Sequence, residues 1–110
     1  MNLFDKFIKK ETTTSTGTPV ETWQAIASGT VQGVGFRWSV ATLAQGMGIT
    51  GTVKNNPDMT VTIILQANHG KVNEFLKELP NNVSPFAKIT NIDVKRLENV
   101  EKMHDFHVIY

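Results

Sequence analysis

The sequence predicts an α+β domain, a ferredoxin-like split βαβ sandwich in which an antiparallel sheet carries two helices on one face. Three observations lead there. Two segments place apolar residues at helical spacing, the other apolar residues fall into runs of strand character, and the chain order reads βαββα followed by two more strands. At 110 residues the chain suits one domain, and roughly 60 to 70 % of the surface of an unfolded chain this size is buried on folding, enough for a modest core.

The first strand alternates from Trp23 through Ala25, Ala27, Gly29 and Val31, with Gln24, Ser28 and Thr30 on its other face. It feeds a loop containing Gly33 and Gly35. Phe36, Val40, Leu43, Ala44 and Met47 then make one apolar stripe on a helix that Gly46 and Gly48 bring to an end. Residues 49–54 and 60–66 are β-rich and are divided by Asn55-Asn56-Pro57-Asp58-Met59, a dense turn signal, so they pair as a hairpin. A second helix follows Asn68-His69-Gly70, with Val72, Phe75, Leu76 and Leu79 on one face and Pro80 closing it. Residues 86–97 and 104–110 read as the last two strands, joined by a polar connection over 98–102.

Residues 9–21, rich in Thr and Ser with Gly17 and Pro19, cannot bury enough apolar surface to offset their ordering entropy. Residues 1–21 are therefore read as a flexible tail and 22–110 as the folded domain. Leu3, Phe4, Phe7 and Ile8 recur at helical spacing among Lys6, Lys9 and Lys10, which allows a turn or two of amphipathic helix. A frayed terminus is the preferred reading over a weak membrane or partner contact.

Eleven Lys and Arg against ten Asp and Glu leave a net charge of +1, without the excess of positive charge that a nucleic-acid surface needs. The absence of cysteine rules out disulfides, zinc thiolates and a thiolate nucleophile. No apolar run approaches the ~20 residues of a membrane span, and the start lacks the apolar stretch of a signal peptide. A cytoplasmic monomer acting on a small molecule is the expectation.

The chemistry concentrates where the first strand meets the first helix. Gly33 and Gly35 let the backbone turn tightly and approach a ligand, and the N–H groups at a helix start have no partners within the helix. Arg37 falls in the first turn, where its charge opposes the helix dipole unless an anion compensates. The backbone from Gln32 through Gly33, Val34, Gly35 and Phe36 to Arg37 is thus the candidate cradle, and its natural guest is a phosphate. His69, His104 and His107 lack an accompanying carboxylate cluster, the last two point to opposite faces if both lie on a strand, and Asp58, Asp93 and Asp105 are scattered. Neither a metal nor a cofactor is expected. Phe36 and Phe75 belong to the helix stripes, while Trp38 is expected to be partly exposed near the site.

Val31-Gln32-Gly33-Val34-Gly35-Phe36-Arg37 and Gly51-Thr52-Val53-Lys54-Asn55 together resemble the paired signature of the acylphosphatase family, with Arg37 and Asn55 at the family's separation. The resemblance covers residues 23–110 and extends to Ser84-Pro85-Phe86-Ala87-Lys88-Ile89 and to the final Phe106-His107-Val108-Ile109-Tyr110. It implies the same sandwich fold and metal-free hydrolysis of an acyl phosphate to a carboxylate and inorganic phosphate. Arg37 would hold phosphoryl oxygens, and Asn55, beside it across adjacent strands, would position the attacking water. From the residues alone Asn55 is ordinary turn chemistry. The alternative is a domain that holds phosphate or carbamoyl phosphate for a partner; pure binding needs the loop and Arg37 but not a water-positioning amide. Two departures stand out. Thr52 occupies a place where the family often has tryptophan, and Asp58-Met59 replaces the Asp-Gly of the hairpin, at a cost if the turn needs a positive φ.

Overall fold

The computed structural model describes residues 19–110. Most of the tail expected over 1–21 lies outside the described residues. The elements are β1 (Glu21–Thr30), α1 (Phe36–Gly46), β2 (Thr50–Asn55), β3 (Val61–Ala67), α2 (His69–Glu78) with a 3₁₀ turn (Leu79–Asn81), β4 (Lys88–Leu97) and β5 (Phe106–Ile109). The sheet order is β4-β1-β3-β2-β5. Each helix connects two strands that have a third inserted between them, which is the split βαβ arrangement.

Register explains the core. Trp23, Ala25 and Ala27 stand opposite Leu65, Ile63 and Val61, and Val53 stands opposite Ile63, so one face of three strands is apolar throughout. Both helices cover that face, with Phe36, Val40 and Ala44 from α1 and Val72 and Phe75 from α2 buried in the same cluster. At Gly51, φ is 148°, and a Cβ there would lie 1.8 Å from the Ile64 carbonyl oxygen. Only glycine lets β2 approach β3 this closely.

The sheet is mixed, not wholly antiparallel as expected, because β5 pairs with β2 in parallel. β4 finishes with Leu97 opposite Thr22, at the end of the sheet where β2 begins. A chain that crosses this end reaches the far edge running in the direction of β2. Gln66 secures the crossing: its amide donates to Glu101 O (2.8 Å) and Thr22 Oγ1 (3.1 Å) and accepts from Met103 N (2.7 Å).

Three boundaries also differ. Glu21, read as the end of the linker, is the first residue of β1 and only 5 % exposed. Its carboxylate accepts from Trp23 Nε1 (2.9 Å) and lies 2.5 Å from His69 Nδ1 and 3.2 Å from Arg96 Nη1. The Trp23 N–H and the Arg96 guanidinium, from β1 and β4, thus offset its desolvation. β4 begins at Lys88 and not at 86, since Phe86 N donates to Ser84 Oγ and Ala87 N to Ser84 O, which closes a turn. β5 begins at Phe106, so His104 lies ahead of the strand and the opposite-faces argument for it lapses.

Candidate active site

Val31 and Phe36, each 1 % exposed, fix the two ends of the loop between β1 and α1 in the core. Between them the backbone turns through left-handed conformations at Gly33 (φ 74°) and Gly35 (φ 75°). A Cβ at either would meet nothing within 4 Å, so the requirement is conformational and leaves the space above the loop open to a ligand. The Gln32 side chain braces the loop against the β2–β3 turn, donating to Asn56 O (2.9 Å) and Thr60 O (2.8 Å).

The two helix starts are treated differently. Asn68 caps α2 by accepting from Lys71 N at 2.9 Å, whereas α1 has Gly35 at its cap, no side-chain cap bond and no acidic residue in its first turn. The first N–H groups of α1 and the positive end of its dipole are left for an anion. Arg37 stands half-buried in that turn, with its guanidinium carbon 4.9 Å from the centroid of the Tyr110 ring. Nη1 donates to Ile109 O at 3.4 Å, a long bond that leaves most of the fork's donors available. Among the described residues no carboxylate pairs with Arg37.

Asn55 ends β2, half-buried, and its Oδ1 is fully buried without a hydrogen-bond partner in the protein. Leaving such an acceptor unsatisfied costs about 1–3 kcal/mol. Arg37 and Asn55 line one cleft of about 200 Å³ together with Gly33 and Gly35. The arginine comes from a helix start and the asparagine from a strand end, not from two adjacent strands.

Not every residue of the expected cradle faces this cleft. Gly33, Gly35, Phe36 and Arg37 line it, but Val34 packs against the core and the Gln32 side chain is engaged with the hairpin. Trp38, Val108 and Tyr110 complete the walls. The last two belong to the terminal segment that resembles the family, and the parallel seat of β5 beside β2 brings them here. Among the described residues no three of His, Cys, Asp and Glu are placed to hold a metal ion, and His69 lies against Glu21 near the opposite end of β1.

The family model described as Acylphosphatase matches residues 23–108, which takes in all or most of every element from β1 to β5. The chain belongs to the acylphosphatase family. An acylphosphatase of Lactobacillus johnsonii is 45 % identical over 83 residues, which cover 76 % of this chain and 91 % of that protein. The crystal structure of acylphosphatase from Bacillus subtilis superposes with a TM-score of 0.77 at 34 % identity, covering 84 % of this chain and 100 % of that one. T. kodakarensis HypF contains a similar unit, with a TM-score of 0.75 and 26 % identity over 82 % of this chain but only 12 % of its own. As an acylphosphatase the chain is a hydrolase of acyl phosphates. Among the described residues no helix is long and apolar enough to cross a membrane.

Proposed function

We propose that hydrolysis is metal-free and is divided between two side chains, with Arg37 holding the phosphoryl group and Asn55 the water. The N–H groups of the loop and of the first turn of α1 receive the phosphoryl oxygens, and the Arg37 fork takes two of them. The Asn55 side-chain amide, able to accept from and donate to one water, aims that water's oxygen at phosphorus, in line with the bond to the acyl oxygen. The water oxygen bonds to phosphorus as the P–O bond to the acyl group breaks. The carboxylate leaves with the bonding electrons, and the water's proton passes to a phosphoryl oxygen. A carboxylate is a stable leaving group, so no side-chain acid is needed.

The observation that carries this reading is that Asn55 lines the same cleft as Arg37 and the uncapped helix start. A phosphate-holding domain would need the last two and not the first. The protein is further proposed to act as a cytoplasmic monomer without nucleic acid, the last in keeping with its net charge of +1.

The test is hydrolysis of benzoyl phosphate, followed by loss of its ultraviolet absorbance, with EDTA present throughout. Wild type should turn over, and Arg37→Ala and Asn55→Ala should each lose about 10² to 10³ in rate. A wild type that is inactive yet binds inorganic phosphate through Arg37 would replace this reading with that of a binding domain.

A further inference from the structure

Trp38 is 72 % exposed on the first turn of α1, one residue after Arg37. Its ring presents an apolar face to any group bound at the site beside it. Trp38 lines the catalytic cleft and also a second groove of about 360 Å³ that runs along α1 past Thr42, Leu43 and Met47 to Asn82. It is the residue the two share. No residue of β2 or β5 lines the second groove, so it leads away from Asn55.

In-line displacement sets the direction of the substrate. The water and the leaving group lie on opposite sides of phosphorus, so with the water at Asn55 the acyl group must extend away from β2. Of the two exposed rings of the cleft, Tyr110 follows β5, which lies beside β2, whereas Trp38 stands on α1 and leads into the second groove. Among the described residues no lysine or arginine lines the groove beyond it, so none of them would retain the departing carboxylate.

We propose that Trp38 and the groove behind it form an acyl subsite that selects acyl phosphates with an aromatic or extended apolar acyl group over those with a small one. The inference rests on the proposed division of labour between Arg37 and Asn55. The ring offers its face to an apolar or aromatic group, with Leu43 and Met47 as the apolar floor. Contact with the acyl group exists before and during the reaction alike, so it acts on KM more than on kcat.

The experiment compares kcat/KM for benzoyl phosphate and acetyl phosphate in wild type, Trp38→Ala and Trp38→Phe. Trp38 is exposed, so both variants should fold. Trp38→Ala should lower the benzoyl-to-acetyl ratio by about 10-fold or more, the scale on which a lost apolar contact discriminates substrates, chiefly through the KM for benzoyl phosphate. Trp38→Phe should restore most of that ratio. A ratio unchanged in Trp38→Ala, with acetyl phosphate still hydrolysed, overturns the subsite and leaves the roles of Arg37 and Asn55 standing. Wild type that hydrolyses neither compound overturns the proposed function and the subsite with it.

Discussion

Met59 sits in the β2–β3 turn with φ at 75°, a conformation that side chains rarely adopt. The turn demands it: Asn56 N donates to Thr60 O at 2.8 Å and Met59 N to Asn56 O at 3.1 Å, and both bonds require the reversal at 59. A left-handed residue other than glycine costs about 1–2 kcal/mol. Replacing it by glycine removes that strain but adds about 0.4–1 kcal/mol of unfolded-state entropy. The Met59 side chain is 60 % exposed, so little packing is lost. The balance for Met59→Gly is a gain of about 0.5–1 kcal/mol, or roughly 2–8 °C in Tm for a domain of this size. Urea titration should show a higher midpoint with an unchanged m-value. Asn99, at φ 58°, is the control, because asparagine tolerates this region and Asn99→Gly should gain nothing. A Met59→Gly protein no more stable than wild type would refute the reasoning.

Gly51→Ala would set a Cβ 1.8 Å from Ile64 O and should lose about 2–5 kcal/mol by urea titration, strain and overpacking together. Glu21→Ala removes the acceptor of Trp23 Nε1 and the ion-pair partner of Arg96 and should cost about 1–3 kcal/mol, read from the same titration, without changing the KM for benzoyl phosphate. Hydrogen bonds from the Thr60 hydroxyl and then from Thr60 N hold the Asp58 carboxyl below its ordinary 3.8. Its contribution to stability is therefore present above 3.8 and is lost as pH falls through the lower folded value. Urea midpoints measured across that acid range should fall less steeply in Asp58→Asn than in wild type.

The first half of the fold was legible because its signals are local. Hydrophobic period changes from two to 3.6 across Gly33 and Gly35, so strand, loop and helix are separated by residues whose backbone behaviour is known. The same stretch carries Arg37, and the hairpin turn carries Asn55. What was not legible depends on contacts between residues distant in sequence. Neither the composition around Glu21 nor its position reveals that His69 and Arg96 converge on it. The polar segment that crosses the sheet end shows no pattern of its own until Gln66 binds its backbone, so the parallel β5 and the placement of Val108 and Tyr110 in the cleft could not be read. The bracing role of the Gln32 side chain, which holds the loop from behind through carbonyls of the hairpin turn, was likewise not legible.

The division of labour between Arg37 and Asn55 is tested most directly by measuring two quantities on Asn55→Ala: turnover of benzoyl phosphate and affinity for inorganic phosphate by titration calorimetry. If Asn55 positions water alone, kcat falls by about 10² to 10³ while the Kd for phosphate stays within about threefold of wild type, whereas Arg37→Ala loses both. An Asn55→Ala protein that turns over normally, or one whose phosphate affinity falls as far as its rate, would contradict the account.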